Sequence, residues 1–155
     1  MKTDNDCGLR DVLKKKGAES AAYPGMLQQP GVNMQLENPR ISAMALPNNH
    51  FTIVISAIEV FTQDELNQNF EFEDRAEVWE WDDSDHDHLA NFSPIRWRPA
   101  SLREFMEWTW SNIPGDTLDT ELGGEEIRAK IYLKNVTSSS PSVVVHTPIL
   151  PMSPD

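Results

Sequence analysis

The sequence predicts an α+β domain: a largely antiparallel sheet of about four to six strands with one amphipathic helix on it, preceded by an extended N-terminal arm. Three observations carry this reading. Residues 126–134 alternate between apolar and polar without a break. Residues 51–61 form a run that is apolar on both faces. Residues 101–111 place apolar side chains at helical spacing behind a capping signal. A β-sandwich with one helix is the alternative.

With 155 residues the chain is long enough for one domain and short for two. Its 11 prolines and 39% apolar content suggest that part of it lies outside the core. Residues 1–40 read as that part, the N-terminal arm. Asp6 to Lys16 fits a short helix stopped by Gly17, and after it Pro24-Gly25, Pro30-Gly31 and Asn38-Pro39 punctuate a stretch with little periodicity. Residues 41–149 read as the single globular domain and 150–155 as a C-terminal tail.

Within the domain, Ile41 to Leu46 is expected to pair with Phe51 to Phe61 across Pro47-Asn48-Asn49-His50. Apolar residues on both sides of the second segment suit a central strand covered on both faces. Thr62 to Asn69 reads as a polar connection. Phe70 to Trp81 is a second long strand, with Phe70, Phe72, Ala76 and Val78 inward, Asp74 breaking the alternation at a bulge or turn, and Arg75, Glu77, Trp79 and Trp81 facing the other way. Asp82 to His88 is too polar for a strand. Ile95 to Arg98 is a short edge strand ended by Pro99.

The predicted helix covers 101–111. Ser101 and Glu104 have capping-box spacing, and Leu102, Phe105, Met106, Thr109 and Trp110 fall on one helical face. Pro114-Gly115 stops it, and Gly123-Gly124 makes a turn into the next strand. That strand, Glu126 to Lys134, sends Ile127, Ala129, Ile131 and Leu133 one way and Glu126, Arg128, Lys130, Tyr132 and Lys134 the other. Val143 to Ile149 returns as the last strand, closed by Pro148, Pro151 and Pro154.

The net charge of −12 is concentrated. Between Glu59 and His88 there are twelve acids against one base, Arg75, so this window alone carries −11. Such a field opposes direct binding of nucleic acid or anionic membrane through that face and favours a basic partner. The residues expected to bind it are Glu77, Trp79, Glu80, Trp81, Asp82, Asp83, Asp85 and Asp87. Trp79 and Trp81 over acids can recognise a basic peptide by ring contact and charge. Against that, tryptophan is mostly buried, and cover by a helix bearing Trp108 and Trp110 weighs toward a place in the core.

Asp83, Asp85 and Asp87 are spaced like the start of a calcium loop, and His86 and His88 add nitrogen donors. The loop then fails: His88 and Pro94 stand where glycine and glutamate belong. No metal and no cofactor is therefore expected. The lone Cys7 has no positioned base nearby, and His50, His86, His88 and His146 sit in no catalytic motif. No secretory leader or membrane-spanning run is read, which points to an intracellular or virion location.

The expectation for function is a non-enzymatic structural subunit of a larger assembly, whose partners are other copies or neighbouring subunits. A Pro/Gly/Gln-rich arm becomes ordered when a neighbour holds it, which makes a virion or phage-particle component, such as a connector or tail protein, the concrete form. The alternative is an acidic binding protein, such as an immunity protein, inhibitor or nucleic-acid mimic, that neutralises a basic partner.

Overall fold

Asparagine turns and alternating apolar residues build the first sheet. In the computed structural model, residues 17–18, 34–81, 86–118, 125–138 and 140–152 are described. Strand β2 (Gln35–Leu46) and strand β3 (His50–Val60) form an antiparallel hairpin in which Leu46 faces His50 and Ala43 faces Ile53. The turn between them works because Asn48 and Asn49 accept positive φ, 62° and 53°, which an asparagine tolerates better than a branched residue. It docks on Gly115, whose N–H donates to the Asn49 carbonyl at 2.8 Å, and a Cβ at Gly115 would collide with the Asn49 side chain. Asn38-Pro39, read from sequence as a breaker, is a bulge within β2: the register slips between Glu37 and Arg40, with Asn38 at φ 50°. Proline is accommodated because β2 is an edge strand of the described sheet.

On the other side of β3 lies β7 (Arg103–Pro114), where a helix is expected from sequence. Residues 101–111 are not helical. Glu104, Met106, Trp108 and Trp110 are buried, while Arg103, Phe105, Glu107 and Thr109 are half-buried, a period of two. The helical spacing of Leu102, Phe105, Met106, Thr109 and Trp110 coincides with a β pattern in aromatic and β-branched residues, and pairing with β3 from His50–Pro114 to Val60–Arg103 decides between them. The capping contact survives without its helix: Glu104 Oε1 accepts from the Ala100 and Ser101 amides at 3.0 and 3.1 Å. A bulge near the far end is absorbed by Asn112 at φ 56°. Strand β1 (Gly17–Ala18) pairs with β7, giving the order β1-β7-β3-β2. β3 is thus central, but only one of its faces is fully buried.

The connection after β3 is a real helix. Thr62 caps α1 (Gln63–Asn67): its hydroxyl accepts from the Glu65 amide at 3.1 Å, and Glu65 accepts from the Thr62 amide at 2.8 Å. The capping box thus lies at Thr62 and Glu65, not at Ser101 and Glu104.

The second sheet is built on β4 (Phe72–Glu80) and β8 (Glu125–Asn135), paired in unbroken register from Phe72–Asn135 to Glu80–Ile127. Asp74 makes no bulge in that ladder. It points inward, fully buried, and accepts from the Trp97 indole at 2.8 Å, which lets a carboxylate sit in the core. Two short strands, β5 (His88–Asn91) and β6 (Ile95–Trp97), share the other edge of β4. Two more, β9 (Val143–His146) and β10 (Leu150–Met152), pair along β8. β2 thus begins within the stretch read as an arm, and β10 within the stretch read as a tail. A second short helix, α2 (Gly115–Leu118), follows β7.

Every pairing among the described strands is antiparallel, and the fold is mostly β. One core joins the inward faces of both sheets: Ile53, Ile55, Met106 and Trp108 from the first, Phe72, Val78, Ile127 and Ile131 from the second. Phe61, just past β3, packs on the second sheet, with its ring 4.7 Å from Phe72 and 5.5 Å from Trp97. No described helix is long and apolar enough to cross a membrane. The expected helix Asp6–Lys16, Cys7 and the Gly123-Gly124 turn lie outside the described residues.

Candidate partner-binding face

A strand sends alternate side chains to opposite sides. In β4, Phe72, Asp74, Ala76, Val78 and Glu80 face the core. Glu73, Arg75, Glu77, Trp79 and, just beyond, Trp81 face outward, where they meet the outward side chains of β8: Lys134, Tyr132, Lys130 and Arg128. The acidic block of the sequence is thereby divided. Glu59, Glu65, Asp74 and Glu80 are buried. Glu73 and Glu77 stand in register with Lys134 and Lys130. Arg96 reaches Glu73 at 2.8 Å and Arg98 reaches Glu71 at 3.4 Å.

The outward face is a connected lattice. Glu77, largely buried beneath its neighbours, accepts from Arg75, from the Trp79 indole at 3.0 Å and from the Tyr132 hydroxyl at 3.0 Å. Burial pushes its carboxyl up, but the hydrogen bonds from Arg75, Trp79 and Tyr132 and the charge of Arg75 together outweigh it and hold the pKa below its usual value. The Arg75 guanidinium also lies 3.6 Å from the Tyr132 ring centre.

Trp81 sits in a second cluster. Its ring stacks on His86 at 3.7 Å and 13°, meets His146 edge-on at 5.6 Å, and has the Arg128 guanidinium 4.8 Å from its centre. Trp79 meets His88 edge-on at 5.0 Å. Three of the chain's four histidines therefore touch one of these two tryptophans. Burial, and then the charges of Arg128 and Lys130, hold the His146 imidazole below its ordinary pKa. Two backbone bonds fix the cluster's base: the Trp81 amide donates to Glu126 at 2.7 Å and the Glu80 amide to Asp87 at 2.8 Å.

Of the residues expected to bind a partner, Glu77, Trp79 and Trp81 share this face, and Asp87 is half-buried at its rim. Glu80 does not join them: it is 4% exposed and points into the core, because it lies one residue out of phase with Trp79 and Trp81. Asp82, Asp83 and Asp85 lie outside the described residues. Trp79 and Trp81 are not core residues beneath Trp108 and Trp110; those two are buried in the first sheet, while Trp79 and Trp81 are half-buried on the far side of the second.

The sequence reading missed Tyr132, Arg128 and His146. The alternation of β8 already placed Tyr132 and Arg128 on its polar side, but only strand pairing sets them against β4. Among the described residues no group of three His, Cys, Asp or Glu side chains is arranged to hold a metal ion. The face combines half-exposed aromatic rings, fixed cations and one low-pKa carboxylate, an arrangement suited to recognition by contact. No family model, no curated protein and no solved structure matches the chain.

Proposed function

We propose that this protein is a non-enzymatic binding subunit of a larger assembly and that it holds a protein neighbour against the outward face of β4 and β8. A virion or phage-particle component is the concrete form of this reading. The observation that carries it is the display of Trp79, Trp81 and Tyr132 on the solvent side of a sheet whose other side is already satisfied by the core. Aromatic residues and arginine dominate binding energy at protein interfaces, and rings already fixed by hydrogen bonds, as Trp79 and Tyr132 are, or by stacking, as Trp81 is on His86, lose little freedom on docking. The alternative, an acidic protein that neutralises a basic partner, finds less support, because Glu59, Glu65, Asp74 and Glu80 of the 59–88 block are buried and Glu73 and Glu77 stand opposite cross-strand lysines.

Trp81→Ala tests the reading. The partner that co-purifies with the intact chain should lose affinity by about 2 kcal/mol or more, roughly thirty-fold, while the variant melts close to wild type. A partner bound equally well by Trp81→Ala, or an intact chain that retains no protein neighbour in its native source, would overturn it.

A further inference from the structure

We infer that residues 41–46 of β2 form a self-association edge, through which two copies of this chain pair antiparallel and extend the first sheet across a two-fold axis. This surface is separate from the β4–β8 face and does not depend on what that face binds.

β2 is the terminal strand of the described sheet, so one row of its backbone N–H and C=O groups points away from β3. An open row of this kind is a template for another strand, and folded proteins commonly guard it with charges, proline, bulges or very short strands. The first half of β2 carries all of these except shortness: Glu37, which pairs with Arg103 at 2.8 Å, the bulge at Asn38-Pro39, and Arg40. The second half carries none. Ile41-Ser42-Ala43-Met44-Ala45-Leu46 has no charge, no proline and no glycine. Ser42, Ala43, Met44 and Ala45 are all exposed, Met44 by 60%. The core-side Ala43 and Ala45 are exposed, as are the outward Ser42 and Met44, so neither face of this half-strand is covered.

Charge identifies the occupant as a second copy. In a chain with 25% charged residues and a net −12, residues 41–58 contain no Asp, Glu, Lys or Arg. Two such chains repel one another over most of their surface, and this hairpin is where they approach without like charges meeting. An antiparallel pair centred on Ala43 sets Ser42 against Met44, Ile41 against Ala45 and Arg40 against Leu46, with no like-charged pair in the seven residues. The contact is isologous, so one edge satisfies both chains and the assembly closes as a dimer.

Sedimentation equilibrium of the full chain tests this at low and high salt. A dimer is expected, and added salt should tighten it by screening the net charge. Ala43→Lys puts two ammonium groups together at the two-fold axis and should raise the dimer dissociation constant about tenfold or more, while at concentrations where both proteins are monomeric the melting temperatures should agree, because position 43 is exposed. In a second variant, Cys7→Ser with Ala43→Cys, mild oxidation should give a covalent dimer. A chain that stays monomeric at both salt concentrations overturns the inference, as does a dimer indifferent to Ala43→Lys. So does a β2 edge that takes up a strand from a different protein and never one from its own copy.

Discussion

Truncating Trp108 tests the core and the strand assignment of β7 together. Trp108 is 1% exposed, faces Ile55 across the pair with β3, and lies between Met106 and Trp110 on the inward side. A buried tryptophan removes about 150–250 Å² from water, worth about 4–6 kcal/mol at ~25 cal/mol/Å². Alanine retains a small part of that, and large-to-small changes of this kind cost about 3–5 kcal/mol. One term works in the other direction: the Trp108 indole N–H has no hydrogen-bond partner among the described residues, and deleting an unsatisfied buried donor returns about 1 kcal/mol. The net expectation for Trp108→Ala is about 3 kcal/mol, a large share of the ~5–15 kcal/mol that holds a domain of this kind together.

Two companions sharpen the test. Trp108→Phe keeps most of the ring and removes the N–H, so it should cost less than about 1.5 kcal/mol. Leu102→Ala should cost no more than about 0.5 kcal/mol, since Leu102 is 41% exposed just before β7, although a helix over 101–111 would bury it. Urea unfolding followed by tryptophan fluorescence, with circular dichroism as a second probe, reads all three. If Leu102→Ala shifts the midpoint as far as Trp108→Ala, residues 101–111 do not pack as a strand and the reasoning fails.

Thr62→Ala removes the hydroxyl that caps α1 and should cost about 1 kcal/mol in the same unfolding assay, with Thr62→Ser close to neutral. Because the folded pKa of Glu77 lies below its ordinary 4.5, Glu77 contributes stability that is fully present above that value and is lost as pH falls through the folded pKa. Glu77→Gln should therefore be less stable than wild type by about 1–2 kcal/mol at neutral pH, and the gap should close in the acid range; a gap independent of pH would show that the carboxylate's charge plays no part.

The sequence by itself determined the elements whose pattern has one reading. Glu126 to Lys134 alternates so regularly that its inward set, Ile127, Ala129, Ile131 and Leu133, is the buried apolar set of β8. The β2–β3 hairpin is visible from the Pro47-Asn48-Asn49 turn, because few residues other than asparagine accept two consecutive positive φ values. Tertiary structure decided the rest where two periods overlap or where a neighbour far away in sequence supplies the answer. In 103–114, Glu104 reads as a surface residue and tips the pattern toward a helix. Pairing puts it inward, opposite Glu59, with its Oε1 occupied by two amides of the preceding turn. The same physics divided the acids of β4. Glu73, Asp74, Glu77 and Glu80 are close in sequence and look like one charged face, but a strand has a period of two, so Asp74 and Glu80 turn inward while Glu73 and Glu77 turn outward. Cations some 50–60 residues away, Lys130 and Lys134, then stand opposite Glu77 and Glu73 on the outer side. Sequence reports how much charge a segment carries; only the folded chain decides which side it faces and what it meets there.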